Sequence, residues 1–244
     1  MSNDARSLLR AHLRQRVELG ETELFLDAFT ARDVHDLAAR TPVERAAEAP
    51  AHGVPGDDIV QIDSLDALRQ VALGCPRCRL AETRQHVVFG EGNSNAQVIV
   101  VGEAPGADED RTGRPFVGRA GQLLDLLLAA AGYQRADVYI CNVLKCRPPS
   151  NRDPRPEEVA ACSPYLLRQV ELIRPRAIVA FGTFPAQTLL ASKESIGRMR
   201  GRVHDYHGVP LVPTYHPAAL LRNPAWTRSV WEDLQRLRTL TDPA

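Results

Sequence analysis

The chain has almost no lysine. Lys145 and Lys193 are the only two among 30 basic residues, the rest being arginine. A GC-rich coding bias is the simplest cause. Net charge is also missing, because 30 Lys and Arg balance 30 Asp and Glu. That balance argues against a generally basic nucleic-acid binder. No apolar run approaches the roughly 18–20 residues of a membrane helix. The first residues, MSNDARSLLRAHLRQ, lack the apolar stretch of a secretory leader. The expectations are therefore no membrane contact and a cytoplasmic location. No internal repeat is visible.

What is present suffices for one full domain and an extension. At 244 residues the chain can bury a complete core. Its charge is uneven: residues 1–65 carry 7 arginines against 12 acids, and residues 66–244 carry 23 bases against 18 acids. The positive bias of the second part permits phosphate contact without showing it. A helix is expected over Ser7–Leu19, followed by a Pro-, Ala- and acid-rich linker over 41–62. Ser64 reads as the N-cap of a helix running to about Leu73. The chain thus divides into an extension, 1–61, and a main domain, 62–244.

Four short apolar runs, Val98–Val101, Val138–Cys141, Ala177–Phe181 and Leu211–Thr214, read as buried strands. Helical patterns separate them at about 120–131, 156–173 and 184–192, and a last helix fits 224–240. The fold class expected is α/β, a three-layer αβα sandwich around a central, mainly parallel four-stranded sheet. Each strand is followed by polar or small residues: Gly102-Glu103, Asn142, Gly182-Thr183 and Tyr215-His216-Pro217. Parallel strand ends share one edge, so these groups converge on one crevice.

The loop after the first strand is acidic and glycine-rich: Gly102-Glu103-Ala104-Pro105-Gly106, then Asp108, Glu109, Asp110, Phe116, Gly118 and Gly121. A phosphate-binding module is one reading. It lacks both GxxxxGK[ST] and GxGxxG, and acids would repel phosphate. The five cysteines include a C-x2-C pair, Cys75 and Cys78, and a C-x15-C pair, Cys146 and Cys162. Disulfides are not expected without an export signal. From spacing alone, zinc and an iron–sulfur cluster serve equally well. Cys141 falls inside a strand and reads as core.

The segment Val98–Gly121 resembles motif A of the uracil-DNA glycosylases, specifically the iron–sulfur, family 4 type. The family pattern GE-x-PG-x-x-ED is matched by Gly102, Glu103, Pro105, Gly106, Glu109 and Asp110. A second signature is matched by His216-Pro217-Ala218-Ala219-Leu220-Leu221-Arg222, and Lys145-Cys146-Arg147-Pro148-Pro149 looks like the surroundings of a cluster cysteine. The resemblance spans about residues 64–240. It implies excision of uracil from DNA by hydrolysis of the N-glycosidic bond, the opening step of base excision repair. It implies a [4Fe-4S] cluster held by Cys75, Cys78, Cys146 and Cys162, in a structural role.

Such a reaction needs an extruded base, stabilised charge on the departing uracil and an oriented water. The resemblance assigns the water to Glu109, with Glu103 as supporting or alternative acid. Asp108 and Asp110 would cap the loop or face solvent. Gly102, Ala104, Phe116 and Asn142 would bind uracil, Phe116 by stacking and Asn142 by pairing with a carbonyl and an N–H. His216 would donate to the uracil oxygen. Core packing for Phe116 and a turn role for Asn142 are the bland alternatives. Leu220 or Leu221 would fill the hole in the duplex, with Arg222 on a phosphate. Arg200, between Arg198 and Arg202, would add a basic loop.

The partner expected is uracil-containing DNA, single- or double-stranded, met by a monomer; repair or sliding-clamp partners are compatible. Two other classes compete. A relative that traps uracil-DNA covalently uses a histidine in an inserted loop, and residues 147–161 contain none. An electron carrier would not need Glu103, Asn142 and His216 at its strand ends.

Overall fold

The computed structural model describes residues 57–242, all within the compact unit His52–Ala244. The helix expected over Ser7–Leu19 and most of the linker lie outside the described residues. The end of the linker stretch is a helical turn, α1 (Asp57–Val60), with Ile59 fully buried. Helix α2 (Leu65–Leu73) follows, and Ser64 Oγ accepts the N–H of Ala67 at 3.3 Å as its cap.

The sheet strands are β1 (Glu91–Gly92), β2 (Val98–Gly102), β3 (Tyr139–Asn142), β4 (Ala177–Phe181), β5 (His204–Tyr206) and β6 (Val209–Thr214). Their order is β1-β3-β2-β4-β6-β5. The central four are parallel and match the apolar runs of the sequence. The sheet has six strands rather than four, because antiparallel β1 and β5 close its two edges. Both are short, and β5 is polar, as exposed edge strands are. Neither carries the apolar run that betrays a buried strand.

Helices cover both faces. Val98 and Val100 of β2 point toward α4 (Arg119–Ala130) and α9 (Thr227–Thr241), meeting Leu124, Leu128, Leu234 and Leu237. Ile99 and Val101 point to the other face. There α5 (Pro156–Ile173), α6 (Thr183–Leu189) and α7 (Ile196–Met199) supply Leu166, Val170, Ala186 and Met199. Strand alternation thus feeds two cores, and the three-layer sandwich follows. A third core joins Ile59, Leu68 and Leu80 to Leu144, Cys146, Cys162 and Tyr165. No helix among the described residues is long and apolar enough to cross a membrane.

Candidate active site

Parallel register sets the site. Gly102 at the end of β2 lies opposite Asn142 at the end of β3, and Phe181 of β4 lies opposite Thr214 of β6. A Cβ on Gly102 would collide with Asn142 Oδ1 and come within 2.6 Å of the Phe116 ring. Only a glycine lets the two side chains meet over this backbone. Asn142 is 2 % exposed. Its backbone carbonyl accepts Lys145 Nζ at 2.8 Å. Its side-chain amide has no partner among the described residues.

Phe116 is held in an unusual backbone state, with φ of 50°. Such a conformation persists where surrounding structure overdetermines it. Arg135 supplies that constraint, donating to the carbonyls of Pro115 (2.6 Å) and Phe116 (3.3 Å) while pairing with Glu91 and Asp125 at 2.7 Å. The Phe116 carbonyl also lies where a side chain on Gly121 would sit. Phe116 is both core and site: it packs with Leu124 and Leu220, and its ring stacks on His216 at 5.7 Å and 28°.

His216 caps α8 (Pro217–Arg222), accepting the N–H of Ala218 on Nδ1 at 3.1 Å. The neutral ring then carries its proton on Nε2. Burial and the Arg222 cation push its pKa down to about 4, against the pull of Glu109. The imidazole is therefore neutral near pH 7.

The two candidate acids differ in surroundings. Glu109 sits in the first turn of α3 (Ala107–Thr112). Its carboxylate accepts the N–H groups of Gly106 (3.1 Å), Val117 (2.9 Å) and Gly118 (3.0 Å). Those bonds clamp the Phe116 loop. Glu103 instead lines an open cleft of about 550 Å³ with Ala104, Asp153, His216 and Arg222. Burial, then the nearby Asp153 charge, raises its pKa, and no hydrogen bond offsets them. Gly102, Phe116 and Asn142 are buried and are not in that lining. Asp108 is exposed, whereas Asp110 is buried and takes the N–H groups of Gln85 and His86.

Two residues expected at the DNA are engaged within the fold. Leu220 is 2 % exposed and packs in the core, leaving Leu221, at 43 %, as the exposed leucine. Arg200 is not a free cation. Its Nε pairs with the buried Asp233 at 2.8 Å, and its Nη2 donates to Ser229 O at 2.6 Å. Arg222 is exposed at the cleft.

Cys75, Cys78, Cys146 and Cys162 line one cavity, together with Arg77, Arg84, Lys145 and Tyr165. Among the described residues, no three His, Cys, Asp or Glu side chains are grouped to hold one metal ion. Burial raises the Cys146 thiol to about 11 and Cys162 to about 12. Arg84 Nη1 lies 3.5 Å from Cys146 Sγ, and the Lys145 N–H donates to Cys162 Sγ at 3.2 Å. Arg77 Nη1 is buried without a hydrogen-bond partner among the described residues. Cys141 is buried in β3, as its strand position implies.

Sequence reasoning missed Arg135 and the second role of Lys145. Lys145 Nζ bridges Asn142 O and Gln169 Oε1, linking the cysteine cavity to the candidate uracil pocket. Its neighbour Cys146 was a signal for half of that role; nothing in the sequence marks Arg135.

A doubly covered, centrally parallel sheet with these groups at its strand ends defines a class. The uracil DNA glycosylase superfamily model matches residues 89–235, and the chain belongs to that superfamily. It is similar to a type-4 uracil-DNA glycosylase of Archaeoglobus fulgidus, 44% identical over 187 residues, covering 73% of this chain and 94% of the relative. One from Thermotoga maritima is 49% identical over 169 residues, covering 68% and 88%. A type-5 uracil-DNA glycosylase of Pyrobaculum aerophilum is 38% identical over 146 residues, covering 53% and 64%.

Proposed function

We propose that the protein excises uracil from DNA by hydrolysing the N-glycosidic bond, and so opens base excision repair. The observation that carries this reading is the meeting of Asn142 and Phe116 over Gly102, with the neutral ring of His216 stacked beside them. A flat face and an unpaired amide suit a pyrimidine. Extrusion of the base delivers it there. His216 Nε2–H donates to the uracil oxygen as negative charge builds on the leaving base. A neutral donor does this without a preceding proton transfer.

The attacking water is assigned to Glu103. It lines the cleft beside His216, and its carboxylate takes no hydrogen bond from the described residues. Glu109, the acid expected from the motif, holds the Phe116 loop through three N–H groups. Its charge also faces His216. Leu221 and Arg222 face the DNA in this reading.

Cys75, Cys78, Cys146 and Cys162 hold a [4Fe-4S] cluster in the same reading. The four thiols line one shared cavity, and a four-thiolate set is the ligand set such a cluster takes. The N–H donors on sulfur and the orphaned Arg77 nitrogen suit a centre made anionic by four thiolates. The group would supply a cross-link between the segment after α2, the loop after β3 and α5, rather than reaction chemistry.

The test is release of free uracil from single- and double-stranded uracil oligonucleotides, followed by alkali to reveal abasic sites. Many equivalents of uracil per protein, as a monomer, are expected. No release, or a denaturation-resistant protein–DNA band in its place, would overturn the reading.

A further inference from the structure

The cleft beside His216 runs past Ala219 and Arg222 to Trp226. Trp226 ends a short 3-10 turn, Pro224–Trp226, directly before α9. Its ring stacks on Tyr215 with centroids 4.5 Å apart and planes 15° from parallel. The residue is nevertheless 37 % exposed. Tyr215 covers one face of the indole, and both rings line the cleft.

The support beneath this pair is rigid. Tyr215 directly follows β6, whose Thr214 Oγ1 donates to Asp233 Oδ2 at 2.8 Å. Arg200, fixed on the same carboxylate, places its guanidinium 5.5 Å from the Tyr215 ring centroid. The pair is thus a preorganised aromatic ledge. The exposed Arg222 stands beside it, where a phosphate can be met.

We infer that Tyr215 and Trp226 form a second subsite, which stacks the nucleobase next to the extruded uracil on the same strand. This rests on the uracil-excision reading and extends it. In a matched duplex that base stays paired to the opposite strand, with Leu221 filling the gap the uracil leaves in this reading, so it is held away from the indole. An unpaired base has a free face, and aromatic stacking accepts any base. The ledge therefore favours single-stranded or locally opened DNA and reads no sequence.

The chain has two tryptophans. Trp231→Phe makes Trp226 the sole indole reporter in the full-length protein. Titration with single-stranded DNA carrying a non-hydrolysable 2′-fluoro-deoxyuridine should quench its emission, and matched duplex should quench it far less. Trp226→Ala should weaken single-strand affinity roughly 5- to 100-fold, and Trp226→Phe should restore most of it. Circular dichroism checks that each variant is folded. The quench in Trp231→Phe keeps the test decisive if Trp226→Ala does not fold.

Equal quenching by single strand and duplex, or unchanged affinity in folded Trp226→Ala, would overturn the ledge. Neither readout needs uracil release. A wild-type protein that quenches on single strands yet frees no uracil sinks the glycosylase reading alone.

Discussion

The backbone N–H of Ala218 donates to Nδ1 of His216 at 3.1 Å. That bond occupies one ring nitrogen and leaves Nε2–H as the only donor the neutral ring can offer. It also caps α8, so the residue has a structural and a chemical task. The tasks separate in His216→Asn, because an asparagine oxygen can still cap the helix. Single-turnover uracil release should fall ~10²–10³-fold, with the melting temperature little changed. His216→Ala should lose the cap as well and melt lower. Near-normal release in both variants would remove His216 from the mechanism.

The acids carry a pH prediction. Burial and the Asp153 charge raise the Glu103 pKa. A carboxylate that orients water must be ionised, so the rate should fall as pH drops through that raised value. Asp153→Asn removes a like charge and should move the acid limb to lower pH. Burial and the Arg222 cation hold the His216 pKa down to about 4, so it contributes little to the profile between pH 8 and 6. Glu103→Gln should cost rate with little loss of stability. Glu109→Gln should lower both, since an amide cannot replace a carboxylate that accepts three N–H groups. An acid limb unmoved in Asp153→Asn would sink the Glu103 assignment.

The cysteine cavity carries a third. Protein purified without air should be brown and contain about four irons. Removal of iron should lower the melting temperature, because Cys146 and Cys162 lie in the third core with Leu80 and Tyr165. Cys162→Ser should cost folding before it costs chemistry. Colourless protein with one tightly bound zinc would refute the cluster.

Much of this was legible from sequence because buried parallel strands are continuous apolar runs. Val98–Val101 and Ala177–Phe181 announce themselves, and the polar groups after them fall on one edge. The edge strands escaped because Glu91–Gly92 and His204–Tyr206 bury too little to need apolar residues. Leu220 and Leu221 are neighbours on one helical turn. Which of them faces the core depends on how α8 is rotated, and pattern does not say. Phe116 was read as either core or stacking surface, and it is buried core whose ring also meets His216. The motif locates Glu109 without saying that three N–H groups surround its carboxylate, because those donors come from backbone that only the fold brings near.

Arg200 and Arg222 separate a cation spent on a buried carboxylate from one proposed to face DNA, and the separation is measurable. Arg200 is 15 % exposed and pairs with the fully buried Asp233, which also takes Thr214 Oγ1 and the N–H of Gly201. Arg200→Gln removes the closer of that carboxylate's two cations, leaving Arg236 at 3.3 Å, so the cost falls toward the lower end of the range for a broken buried pair. Breaking a buried pair from one side costs about 3–5 kcal/mol, which for a domain of this size lowers the melting temperature by on the order of 10 °C. The salt dependence of DNA binding should hardly change, because the lost charge met no phosphate. Arg222 is exposed beside the cleft. Arg222→Gln should leave the melting temperature nearly unchanged and reduce the slope of log affinity against log salt by about one. Its loss should also raise the His216 pKa, since the Arg222 cation helps depress it. If Arg200→Gln flattens the salt slope while Arg222→Gln does not, the DNA path lies over α7 rather than over α8.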